Sequence, residues 1–123
     1  MNNAKFELSS EYATVGDTAL IMSQYTVNNA YYLGFISLNE IGKTVTFTAD
    51  VYCTTICHIK IYTLIDGIYL SKYTTIPANT MGTYSIQHTI PSNTERIIYR
   101  IEPRDYSSLD NFASIDNIQL YIS

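Results

Sequence analysis

Lys43-Thr-Val-Thr-Phe-Thr-Ala-Asp-Val-Tyr52 alternates polar and apolar residues from Thr44 onward. Successive side chains of a strand point to opposite faces. Val45, Phe47, Ala49 and Val51 therefore face a core, while Thr46, Thr48, Asp50 and Tyr52 face away. The next segment, Cys57–Leu64, repeats the pattern, with Ile59 and Ile61 inward and His58, Lys60 and Tyr62 outward. In Arg96–Glu102, Ile97, Tyr99 and Ile101 pack, which exposes Arg96, Arg100 and Glu102.

Working outward, period-two patterning also marks Lys5–Ser9, Ala19–Ser23, Tyr31–Ser37, Ile68–Ile76, Thr83–Ile90 and Phe112–Ile122 as strands. Turn residues separate them: Val15-Gly16-Asp17, Asn39 to Gly42, Asp66-Gly67, Pro77-Ala-Asn79, Pro91-Ser-Asn93 and Pro103-Arg-Asp105. No segment shows the period of an amphipathic helix. Short strands at this spacing predict an all-β fold, a two-sheet antiparallel β-sandwich of the jelly-roll kind. The expected core is Phe6, Leu20, Val45, Phe47, Val51, Ile59, Ile61, Ile86, Ile90, Ile118 and Leu120. Thr75-Ile-Pro-Ala-Asn-Thr80 is echoed by Thr89-Ile-Pro-Ser-Asn-Thr94, which reads as two strand ends followed by Pro turns rather than as a repeat architecture.

Composition agrees. The 123 residues are expected to form one domain, residues 1–123, long enough for a real core. Hydrophobic residues make up 46% and charged residues 15%, which excludes a disordered chain. The net charge is −4 and the seven basic residues are scattered along the sequence, so nucleic acid is not expected as a partner. No apolar run reaches the length of a membrane span, and no signal peptide is visible at Met1-Asn-Asn-Ala-Lys-Phe-Glu7. The expectation is a domain of an exported protein or a component of a virion. No Gly-x-Ser-x-Gly elbow, phosphate loop or HExxH motif is present, so no enzymatic activity is expected.

The last strand carries a carboxylate. By simple alternation Asp116 shares a face with Ile118, Leu120 and Ile122, and an ionised carboxylate beside a core is costly unless paired or metal-bound. Cys53 and Cys57 flank Thr-Thr-Ile between two strands, where a short hairpin would bring them within disulfide range. An exported domain would bridge them and a reducing compartment would leave two thiols.

Phe6-Glu7, the Gly16-to-Leu20 segment, Gly42 to Tyr52, Thr83 to Pro91, Ile98-Tyr-Arg-Ile101 and Ile115-Asp-Asn-Ile118 occur in an order that resembles the galactose-binding-like jelly rolls of carbohydrate-binding modules. The resemblance spans nearly the whole chain through short motifs. It implies a structural calcium ion held by Glu7, by the region of Gly16 and Asp17, and by Asp116. The alternative is that Asp116 accepts backbone N–H bonds or pairs with Lys5. The resemblance also implies a glycan ligand. Where such modules often carry a Trp, this chain has Met81, and it contains no Trp but twelve Tyr.

If the strands just described share a sheet, one outer face presents Asp50, Lys60, Tyr62, Arg100 and Glu102, with His58 beside them. Tyr rings offer flat area to the C–H face of a sugar and the charged groups address its hydroxyls. A second cluster, Tyr31-Tyr32, Tyr69 and Tyr73, suits an interface with another subunit as well as a sugar. Two functions follow: a non-catalytic carbohydrate-binding module, or a structural protein of a virion or cell surface whose partners are neighbouring subunits in a homo-oligomer.

Overall fold

A computed structural model describes residues 5–9, 19–23, 31–104 and 111–123, with side-chain surroundings from residue 35 onward. Among them are strands β1 (Lys5–Ser9), β2 (Ala19–Ser23), β3 (Tyr31–Ile36), β4 (Thr44–Cys53), β5 (Cys57–Ile65), β6 (Ile68–Ile76), β7 (Gly82–Thr89), β8 (Arg96–Pro103) and β9 (Phe112–Ile122). The bounds differ from the sequence expectation by at most one residue at any end. Ser37 leaves β3 because its side chain accepts the Asn39 N–H at 3.1 Å and caps a 3-10 turn, Leu38–Glu40.

The strands form two antiparallel sheets, a five-stranded one ordered β1-β2-β9-β4-β7 and a four-stranded one ordered β3-β8-β5-β6. The protein is thus an all-β sandwich of jelly-roll type. Between the sheets, Val45, Phe47, Val51, Ile59, Ile61, Ile86, Ile90, Ile97, Ile101 and Ile115 are buried. The β5–β6 hairpin shows how local chemistry sets register. Asp66 and Gly67 take φ of +50° and +74°, as a two-residue turn matched to strand twist requires, and Ile65 then pairs with Ile68.

β4 and β5 do not form a hairpin. They lie in different sheets, and the Thr54–Ile56 link crosses between them. Two of its backbone groups are satisfied across the crossing: the Thr54 N–H donates to Phe112 O at 3.0 Å and the Arg104 N–H to Ile56 O at 2.9 Å. Cys53 and Cys57 at the two ends of this link are buried, unbridged thiols. A hydrogen bond to Cys57, burial and the charge of Cys57 push the Cys53 thiol far up.

β9 corrects the simple alternation. Asp50 pairs with Asp116, yet Thr48 pairs with Gln119, so Ala49 faces two residues, Asn117 and Ile118. Asn117 takes φ +51°, the conformation of a β-bulge. The extra residue flips the phase of the strand. Asp116 stands on the outer face opposite Asp50, whereas Leu120 and Ile122 stand opposite Phe47 and Val45 on the inner one. Asp116 therefore does not share a face with Ile118, Leu120 and Ile122, and it needs no metal to offset burial beside a core. Ile118 and Leu120, expected in the core, are 41% and 36% exposed. The reason is that β2 pairs with β9 only as far as Ile115, which leaves the second half of β9 open on that flank among the described residues. The side chains of Phe6 and Leu20 lie outside the described residues.

The bulge carries a prediction. Asn117→Val and Asn117→Gly both lose the side-chain bonds to Asp50 (3.4 Å) and Gln119 (3.2 Å). They differ in the cost of a left-handed backbone, so the Val variant should be less stable than the Gly variant by about 1–2 kcal/mol in urea denaturation. Equal stabilities would mean that positive φ at residue 117 is not required.

Candidate functional site

The outer face of the four-stranded sheet follows from register. The two-residue turn after β5 sets Lys60 opposite Tyr73, Tyr62 opposite Ser71 and His58 opposite Thr75. On the other side of β5, His58 faces Glu102, Lys60 faces Arg100 and Tyr62 faces Ile98. Opposed residues share a face, so β6, β5 and β8 together present Tyr69, Tyr73, His58, Lys60, Tyr62, Ile98, Arg100 and Glu102.

Tyr62 is the hub. Its hydroxyl donates to Glu102 Oε2 at 2.8 Å and accepts from Lys60 Nζ at 3.2 Å and from Arg100 Nη2 at 2.5 Å. Glu102 also pairs directly with Lys60 (3.3 Å), Arg100 (2.7 Å) and Arg104 (3.0 Å). Charge-assisted bonds of this kind are short and strong. The Arg100 guanidinium lies 4.1 Å from the centre of the Tyr62 ring, and Lys60 Nζ lies between the rings of Tyr62 (5.3 Å) and Tyr73 (5.7 Å). Tyr73 stacks on His58 at 4.1 Å with the planes 8° apart. At the far end, Arg96 donates to the Tyr69 hydroxyl at 3.2 Å and lies over the Phe35 ring.

Two hollows flank this hub. One, of about 270 Å³, is lined by Tyr62, Tyr69, Ile98 and Arg100. The other, of about 590 Å³, lies at the β4–β5 crossing and is lined by Thr54, Thr55, Ile56, His58, Ala78 and Arg104. Volumes of this order hold small ligands or segments of larger ones.

Of the residues expected to share a face, Lys60, Tyr62, Arg100 and Glu102 are brought into direct contact. Glu102 and Lys60, expected to be exposed, are buried at 8% and 6% exposure, with the rings of Tyr62 and Tyr73 close to Lys60 Nζ and the guanidinium groups of Arg100 and Arg104 on the Glu102 carboxylate. Asp50 is not part of the group. It lies on β4 in the other sheet, where its carboxylate accepts from the Thr83 hydroxyl at 2.6 Å. The sequence reading missed Arg104, whose place in a turn gave no sign of its reach to Glu102. It also kept Tyr69 and Tyr73 apart from Tyr62, although the Asp66-Gly67 turn dictates that they share its face.

Of the residues expected to hold calcium, only Asp116 is described with its side chain. Asp116 accepts the Asn117 N–H at 2.8 Å on the outer face of the five-stranded sheet. Glu7 lies on β1, with β2 between β1 and β9, so first and last strands are not neighbours. The Glu7 side chain, Gly16 and Asp17 lie outside the described residues. Among those described, no group of three or more His, Cys, Asp or Glu gathers around one point, and calcium takes six to eight oxygens.

The electrostatics make the fold sensitive to acid. Burial pushes the Glu102 carboxyl up, but the Tyr62 hydroxyl, Arg100 and Lys60 together more than reverse it, so its pKa lies below the ordinary 4.5. His58 is pushed below 6.5 by burial, Lys60 and Arg104, and His88 by burial and Lys72. Below 6.5 the unfolded chain gains histidine protons that the folded one resists, so stability falls. Below 4.5 the unfolded Glu102 protonates first, and its share is lost as pH drops through the lower folded value. Melting temperature should therefore decline in two stages on acidification. In His58→Gln the first stage should shrink, and an unchanged profile would dismiss His58 as a contributor.

No family model matches the chain, and no curated protein matches it. Solved structures do share its fold. The C-terminal family 22 carbohydrate-binding module of Clostridium thermocellum Xyn10B aligns over 97% of this chain and 80% of its own, at 18% identity and a TM-score of 0.71. A family 16 carbohydrate-binding module aligns over 96% and 86%, at 14% identity and a TM-score of 0.69. The enzymatically active domain of bacteriophage CBA120 tailspike protein 4 aligns over all of this chain but 18% of its own, at 16% identity and a TM-score of 0.70. The chain has the β-sandwich of carbohydrate-binding modules.

Proposed function

We propose that the protein is a non-catalytic carbohydrate-binding module that acts outside the cell and holds a glycan on the outer face of its four-stranded sheet. The observation that carries this is the grouping of Tyr62, Tyr69, Tyr73 and His58 around two hollows on one face. Tyr69 and Tyr73 are about half exposed and offer ring area for a sugar, while Arg100 and Arg104 supply donors for its oxygens. The shared sandwich with carbohydrate-binding modules supports the reading at the level of fold. A glycan array with the purified chain tests it. Tyr69→Ala, which removes an exposed ring, should weaken the best ligand about tenfold or more without changing the melting temperature. An array with no signal would reject the module.

The likeness to part of a tailspike protein favours a second reading, a structural domain of a virion or cell surface that assembles with copies of itself. Light scattering separates the two. A stable trimer or larger assembly without glycan binding supports the structural protein, and a glycan-binding monomer rejects it. A structural calcium held by Glu7, the Gly16 and Asp17 segment and Asp116 belongs with the module reading. Equal melting temperatures in excess calcium and in chelator would remove it.

A further inference from the structure

We propose that Cys53 and Cys57 are a disulfide-forming pair, reduced in the arrangement described above and bridged when the protein meets a disulfide compound as oxidant. The bridge ties the five-stranded sheet to the four-stranded one at the point where the chain crosses between them. The chain contains two cysteines in all, so each has one possible partner within the molecule. Neither has any exposed surface, so the folded protein presents neither thiol to a second molecule.

Register brings the two together. Cys53 ends β4 in the inward phase of Val45, Phe47, Ala49 and Val51, and pairs with Ala113 of β9. Cys57 opens β5 in the inward phase of Ile59 and Ile61, between Pro103 of β8 and Ile76 of β6. Both belong to one buried cluster between the sheets. The link of three residues, Thr54–Ile56, holds the two strand ends at one corner of the sandwich, and the two thiols interact there directly. A disulfide needs its Cα atoms within roughly 7 Å and its Cβ atoms turned toward each other. Thiols that meet from facing strands are close to that geometry.

The bridge forms by two exchanges. The thiolate of one cysteine attacks a sulfur of the oxidant and breaks its S–S bond. Half of the oxidant leaves as a thiol carrying the proton released, and the other half stays on the protein as a mixed disulfide. The thiolate of the second cysteine then attacks the protein sulfur of that mixed disulfide and expels the remaining half as a second thiol. The protein loses two hydrogens and two electrons, and the oxidant gains them. Only the thiolate attacks, and Cys57 together with burial pushes the Cys53 thiol far up. The closed sandwich therefore reacts slowly, and the bridge is made while the chain folds or when the crossing opens. An exported protein meets suitable disulfides at that stage. The closed ring contains Thr54, Thr55 and Ile56, which line the larger hollow, so oxidation stiffens one wall of that hollow.

The test refolds the whole chain from urea with oxidised glutathione and, separately, with reduced dithiothreitol. The tryptic peptide Thr44–Lys60 carries both cysteines. After oxidation it should be lighter by two hydrogens and closed to alkylation, in a protein that stays monomeric. The bridged protein should melt about 5 °C or more above the reduced one, a gain kept modest by the short ring. Native reduced protein should react with oxidised glutathione far more slowly than protein in urea. Cys53→Ala should melt at the same temperature in both redox buffers. Thiols that stay free after oxidative refolding would overturn the proposal, as would glutathione adducts or disulfide-linked dimers in place of the bridge. A bridge that lowers the melting temperature would also overturn it, because the folded sandwich would then not accommodate the ring. None of these outcomes bears on glycan binding, which the array tests separately.

Discussion

Glu102→Ala is expected to lower the stability of the protein by about 3–5 kcal/mol, the range for removing one partner of a buried ion pair. The Glu102 side chain is 11% exposed, and it is the common acceptor for Tyr62, Lys60, Arg100 and Arg104. Its loss takes from Lys60 and Arg100 the carboxylate they share, and takes from the Tyr62 hydroxyl its acceptor. Most of the cost is the stranded charge of Lys60, whose side chain is 7% exposed, rather than the missing contacts. Adding Lys60→Met to Glu102→Ala should therefore restore part of the loss, because it removes a cation from a buried position while keeping an unbranched side chain there. Urea denaturation of the three variants at neutral pH measures both effects. A loss under about 1 kcal/mol for Glu102→Ala, the usual worth of a surface pair, would mean that the cations reach water and the hub is not a desolvated site.

Phe47→Ala is expected to cost about 3–5 kcal/mol, as for other large aromatic side chains removed from a core. Phe47 has no exposed surface and meets the edge of Tyr99 with ring centres 5.1 Å apart. Tyr99 belongs to β8, so the contact joins the two sheets. Its cross-strand partner Leu120 provides the comparison. Leu120 stands on the same face but is 36% exposed. Leu120→Ala should cost clearly less than the 2–5 kcal/mol typical of a fully buried Leu. Matching losses for the two variants would mean that the second half of β9 is covered after all.

The strands were legible because nearly every one keeps a period of two and ends at Gly, Pro, Asn or Asp. Phe47, Ile59 and Ile101 could be assigned to the core from that alone. The bulge at Asn117 was not, because one inserted residue leaves both halves of β9 looking regular. The only local sign is the Asp116-Asn117 pair, two residues that strands disfavour. The site was half legible. Lys60, Tyr62, Arg100 and Glu102 sit on strands that pair, so their outward phase was enough to group them. Asp50 was misplaced because phase tells which way a side chain points within a sheet, not to which sheet its strand belongs. A short link such as Thr54–Ile56 looks like a hairpin loop in sequence, and only long-range pairing reveals that it changes sheets. Arg104 reaches Glu102 from a residue past the strand end, and no periodicity applies there.

β9 lives two lives along one segment. Phe112–Ile115 is bonded on both sides, to β2 and to β4, whereas the part beyond the bulge is bonded to β4 alone among the described residues. Opening free energies within a native protein range from near zero to the global value in contiguous units. The bulge, where the ladder already skips a residue, is the natural boundary between two such units. The stretch Ile118–Ile122 can then part from β4 and return without disturbing Phe112–Ile115. Amide hydrogens on the two sides of Asn117 would exchange with solvent on separate clocks, the outer ones through this local fraying and the inner ones only when the sandwich itself opens.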